Sequence, residues 1–225
     1  MSAMGTKMKT QWSTRGGRGF TWVELLVVIC MLAVLVVVFL ASLAPTERKA
    51  ARINCVSNLK QMALNFKMWA GDNGDKFPMQ MAVTNDAMMK LISSGKAYAL
   101  WQTMTNELST PKILHCPADT NQIAATNFTV GFSDANISYF FSLDADETYP
   151  QTVLSGDDNL AVNGVRVQPG ILNLWTNAVV GWTKERHGGA GNVALADGSA
   201  QQLTSSSLLQ FVQQTGGTTN RLVIP

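Results

Sequence analysis

The most suggestive spacing in this chain runs from His187, across nine residues, to the pair Asp197-Gly198. An imidazole titrates near neutral pH and ligates metals, and a carboxylate beside it fixes its tautomer. Gly188, Gly189 and Gly191 allow sharp backbone turns after His187, and Asp197-Gly198 is a strong hairpin-turn signal. The spacing therefore predicts a histidine loop folded toward that turn, either pinning the two loops by a hydrogen bond or holding a metal with a third ligand. One His and one Asp do not make a zinc site, and no nearby Cys, His or Ser completes a nucleophilic triad. The pair reads as a structural pin, and no enzymatic reaction is expected.

Asp144, Asp146 and Glu147 form the densest acid cluster, with Asp157 and Asp158 in the next loop. Hard oxygen ligands at alternating positions suit calcium, yet the glycine and the distal glutamate of an EF-hand loop are missing. A solvated acidic loop is the main expectation and calcium its alternative. Of the three cysteines, Cys30 lies in an apolar run and reads as a small hydrophobic residue.

These candidates must be positioned by elements of two kinds. The chain is 46% hydrophobic and only 14% charged, and the shortage of charge is concentrated: the twenty residues from Leu25 to Ala44 carry none. As a helix that run crosses the roughly 30 Å core of a bilayer. Four of the 17 bases, Lys7, Lys9, Arg15 and Arg18, precede it without an acid, while residues 45–225 hold 13 bases against 14 acids. The basic balance thus belongs to a leader, which excludes a nucleic-acid-binding surface as the expected function. By the positive-inside rule the leader stays cytoplasmic and the rest is exported, although Arg48, Lys49 and Arg52 weaken that signal. A cleaved secretory signal is disfavoured by the length of the run, by Glu24 at its start and by Pro45 after Ser42 and Ala44.

Helical periodicity continues beyond the membrane run. Ile53, Val56, Leu59, Ala63, Phe66 and Ala70 form one apolar stripe, and Cys55, Leu59, Met62, Phe66 and Trp69 a parallel one, until Gly71-Asp72-Asn73-Gly74-Asp75 and Pro78 stop the helix. Pro45 predicts a bend or a melted turn. Residues 72–225 suffice for one head covering that stripe. Within it, 87–105 read as helical segments broken at Ser93-Ser94-Gly95, and 137–143, 164–167, 178–183, 192–196 and 200–203 as short strands. Residues 205–213 read as a helix ended by Gly216-Gly217. The expected class is α+β, with residues 1–19 as leader, 20–44 as transmembrane half-helix, 45–71 as amphipathic half-helix and 72–225 as head.

Gly19-Phe20-Thr21-Trp22-Val23-Glu24, a basic leader ending in Gly, then an aromatic, then a carboxylate four residues on at the head of an apolar helix, resembles the N-terminal signal of type IV pilins and type II secretion pseudopilins. Asn54-Cys55-Val56-Ser57-Asn58-Leu59, Cys116-Pro117-Ala118-Asp119, Gly156-Asp157-Asp158-Asn159-Leu160 and the His187 to Asp197-Gly198 spacing are similar to a bacterial subgroup of such proteins, so the resemblance spans residues 19 to about 204. Many members carry a second histidine after that glycine; this chain has Ser199. The resemblance implies a pilin-like fold, cleavage between Gly19 and Phe20 by a prepilin peptidase, and methylation of the new Phe20 amine. It further implies assembly with other pilin or pseudopilin subunits through an inner-membrane platform, with Glu24 setting register by meeting a neighbour's terminal amine. Some pseudopilins hold calcium in a head loop, and no other cofactor is implied. The expected location is the bacterial inner membrane, single-pass, with a periplasmic head, and then a filament. A minor tip subunit, or an anchored periplasmic enzyme or binding protein using a similar leader, are the alternatives. A carboxylate in the membrane is costly, which gives Glu24 a reason to seek a partner, although a helix N-terminus alone also favours an acid. In an oxidising periplasm Cys55 and Cys116 either pair or remain two buried thiols.

Overall fold

A computed structural model describes residues 19–214 and 219–225, with side chains at all of these except 41–48 and 219. The bases at Lys7, Lys9, Arg15 and Arg18, the side chain of Arg48, and Gly216-Gly217 lie outside the described residues. The chain divides into two units, Met1–Ala44 and Pro45–Pro225, so residues 45–71 belong with the head.

The first unit is built on helix α1, Trp22–Asp72, whose stretch Trp22–Leu40 is long and apolar enough to cross a membrane. Its 19 residues rise about 28 Å at 1.5 Å each. Among the described residues Leu25, Ile29, Leu32 and Val36 of this stretch are all exposed. Helical backbone continues through Pro45, so the melted turn expected there is not present. A proline removes one donor and crowds the carbonyl four residues earlier, and the flanking residues are helical nonetheless.

In the second unit α1 presents Cys55, Leu59, Met62, Ala63, Phe66 and Ala70 to the core, while Ile53, expected on that stripe, is 64% exposed. The helix ends as anticipated: Asp75 N–H bonds the Ala70 carbonyl, with Gly74 and Asp75 in left-handed conformations. Short helices α2 (Pro78–Thr84), α3 (Asp86–Ser93), α4 (Tyr98–Thr103) and α5 (Thr105–Leu108) follow.

Strands β1 (Tyr139–Ser142), β2 (Val153–Asp157), β3 (Leu160–Val162), β4 (Val165–Arg166), β5 (Gly170–Trp175), β6 (Val180–Trp182), β7 (Ala190–Leu195), β8 (Ala200–Thr204) and β9 (Thr219–Ile224) complete the head, with helix α6 (Ser205–Gln214) between the last two. Six form one antiparallel sheet in the order β5-β9-β1-β2-β7-β8, and β4-β3-β6 form a smaller one. The architecture is α+β. Alternation along β1 divides two cores: Tyr139 and Phe141 join the α1 residues and Trp101, while Phe140 joins Trp182, Leu208 and Val212. Gly156 in β2 allows a close approach, since a Cβ there would stand 2.7 Å from the Phe140 ring.

Candidate functional site

At the start of α1, Thr21 and Glu24 form a reciprocal cap. The Thr21 N–H and Oγ1 both donate to Glu24 Oε2 at 2.8 Å, and the Glu24 N–H donates to Thr21 Oγ1 at 3.3 Å. This is a capping box, and the Thr-x-x-Glu spelling was available in the sequence to announce it. Among the described residues Glu24 Oε1 accepts no hydrogen bond. Gly19 and Phe20 precede the helix and are exposed.

The head carries a second constellation, in which four sequence-distant segments meet. Cys55 of α1 is joined to Cys116 by a disulfide across 61 residues. His187 Nε2 lies 3.5 Å from Cys116 Sγ and 3.4 Å from Asp157 Oδ2, with its side chain only 1% exposed. Asp157 ends β2, and its Oδ2 also accepts from the backbone and side-chain nitrogens of Asn192, each at 2.8 Å. Arg186, equally buried, pairs with Asp158 and with Asp119 at 3.2 Å, and donates to the Ser138 carbonyl at 3.0 Å; Ser138 Oγ in turn donates to Asp119. The turn that aims these groups is left-handed at His187, Gly188 and Gly189 in succession, which suits two glycines and strains one histidine modestly.

The expected His187–Asp197 pin is corrected by this geometry. The two residues flank β7, whose six extended residues separate them by roughly 20 Å. Asp197 instead closes the β7–β8 turn, accepting from the Ser199 N–H at 2.7 Å, and its carboxyl is held below the usual range by Ser199. Gly198 takes the positive φ that the turn requires. Among the described residues the calcium candidates Asp144, Asp146 and Glu147 do not bring three ligand atoms together. Asp144 is held by the Arg221 backbone and guanidinium, Asp146 by Thr148, and Glu147 faces Lys67 at 3.7 Å. Asp157 and Asp158, expected in a solvated loop, are buried. Among the described residues Cys55, Cys116 and His187 place potential ligand atoms within 4.8 Å of one another, but the two sulfurs are joined as a disulfide and offer no thiolate.

Electrostatics define what the cluster does. Burial raises the Asp157 carboxyl to about 7, despite Arg186 and the Asn192 donors. Burial, together with the charges of Arg52 and Arg186, lowers His187 to about 4. Burial, reinforced by Asp157, pushes the Tyr139 phenol well above its usual range. Across that interval the folded Asp157–His187 pair holds one proton, as an ordinary carboxylate and imidazole do in the unfolded chain between about 4 and 6.5. Equal proton counts give no pH slope. The stability carried by the raised carboxyl is lost as pH rises toward 7, and that carried by the depressed imidazole is gained over nearly the same range. His187→Gln should therefore make stability fall between about pH 4 and 7, and Asp157→Asn should make it rise between about pH 4 and 6.5, with limiting slopes of about 1.4 kcal/mol per pH unit. Urea unfolding of both variants across this range checks the opposed signs; slopes of one sign would refute the shared proton.

No protein-family model, no curated protein and no solved structure matches the chain.

Proposed function

We propose that this chain is a prepilin-like structural subunit of a type IV pilus or type II secretion pseudopilus. A prepilin peptidase cuts it between Gly19 and Phe20, and the Phe20 amine is methylated. It then assembles with other pilin or pseudopilin subunits through its apolar helix, drawn from the inner membrane by an assembly platform. What carries this reading is the placement of Gly19-Phe20 and Glu24 at the start of a membrane-length helix whose apolar side chains are exposed among the described residues. Such a helix needs lipid first and neighbouring helices afterwards. The head, a helix packed on an antiparallel sheet and cross-linked by a disulfide, suits an exported pilin-like domain.

In the assembled polymer Thr21 holds one Glu24 oxygen in place and the other receives a neighbour's terminal amine. The cut leaves the Phe20–Thr21 peptide intact, so the cap survives processing. The subunit has no catalytic task, and the buried cluster around His187 serves to tie α1 to the sheet. Intact mass and N-terminal sequencing of the membrane-extracted protein test the proposal. A mature chain beginning at methylated Phe20 supports it; a chain beginning at Met1 or at Pro45 refutes it.

A further inference from the structure

Next to the His187 cluster a cavity of about 610 Å3 opens to the surface. Its wall carries three cations, Lys49 and Arg52 from α1 and Lys184 from the β6–β7 connection. Among the described residues none of the three forms an ion pair, and the Nε of Arg52 is buried without a hydrogen bond. The acid on the same wall, Glu185, is already taken by Arg166. Arg186 also borders the cavity, but Asp119 and Asp158 neutralise it. The remaining surface includes Ala51, Pro117 and Ala118, so an apolar side accompanies the unpaired charge.

We propose that this cavity binds the phosphate of an anionic phospholipid headgroup. A guanidinium flanked by two ammonium groups suits a phosphodiester, because the planar fork fixes two oxygens while the lysines supply point charges. The apolar side suits the glycerol and the first acyl carbons. The tether selects a lipid as the source. Lys49 comes five residues after Ala44. That is at most about 18 Å of extended chain, so the tether keeps Lys49 within reach of a headgroup layer about 5–8 Å deep. The inference rests on the reading that Leu25–Ala44 spans a membrane, and is independent of cleavage at Gly19. A headgroup held here would keep the head close against the bilayer before the subunit is withdrawn from it.

The test uses the full chain. Alkaline carbonate treatment of membranes comes first: release of the protein overturns the anchoring reading and this inference together. Protein that stays is solubilised in neutral detergent and offered equimolar phosphatidylglycerol and phosphatidylcholine, and bound lipid is counted by native mass spectrometry. The expected result is retention of one phosphatidylglycerol in preference to phosphatidylcholine. The variant K49Q/R52Q/K184Q should retain it roughly a hundredfold more weakly, at about fivefold per cation. The charge-matched control K90Q/K96Q/K112Q removes three exposed lysines away from the cavity and should bind as the unmodified chain does. Equal retention of the two lipids, or equal loss in both triple variants, overturns the inference while leaving the anchor intact. Saturable binding of inorganic phosphate without selection of phosphatidylglycerol assigns the cavity to a free oxyanion and overturns the lipid source.

Discussion

Glu24→Ala should abolish polymer formation while the head stays folded, with its disulfide intact. The alanine removes both the capping box and the only charge between residues 19 and 44. Loss of a cap costs about 1 kcal/mol, too little to unfold a helix of 51 residues supported by a packed head. On the proposed reading, loss of a partner for a neighbour's terminal amine at membrane depth costs several times more per subunit and recurs at every interface of the polymer. Glu24→Gln separates the two roles. Glutamine still completes a Thr-x-x-Gln box and preserves the helix start, but has no charge to offer an amine. Filaments counted by electron microscopy should vanish with both variants if Glu24 sets register. Normal fibres from Glu24→Gln alone would reduce the residue to a cap.

The disulfide carries the second large effect. Cys55→Ser with Cys116→Ser should lower the unfolding free energy of the head by about 4 kcal/mol, the chain-entropy expectation for a loop of 61 residues. The loss falls where α1 meets the sheet, because Cys55 shares a core with Leu59, Phe66 and Tyr139. Urea midpoints followed by tryptophan fluorescence report it directly, since Trp101 packs against Phe66 and Phe141 in that core. A shift below about 1 kcal/mol would mean that the Arg186 ion pairs and the apolar contacts suffice to hold the helix.

The parts of the fold that were legible in advance are those with local signatures. The α1 stripe, the stop at Gly71–Asp75, the break at Ser93-Ser94-Gly95 and the β7–β8 hairpin each follow from periodicity or turn chemistry read within about ten residues. Strands β2, β3, β5 and β9 lacked such marks. Every residue of Val153–Asp157 is buried, so no alternation of polar and apolar residues betrays β2. The site was legible as a set of segments but not as a set of contacts. Asn58, Cys55, Cys116, Asp119, Asp157 and His187 all drew notice, and all lie in or beside one cluster. His187 and Asp197 do not pair because the extended strand β7 stands between them, so nearness in sequence is not nearness in space. The partner of Asp119 and Asp158 is Arg186, far along the chain from Asp119 and adjacent to a more conspicuous histidine, and nothing local marks a buried ion pair of that kind.

The place of β9 has a bearing on the order of events during synthesis. It lies between β5 and β1, and β5 has no other neighbour in the six-stranded sheet. A chain made amino-end first therefore carries both cysteines long before residue 219 exists. The covalent link can close while the sheet still has a slot in its middle, and the late segment must then thread between two waiting partners. Delay or mutation in that segment would leave a cross-linked but open intermediate, with two strand edges exposed to other chains.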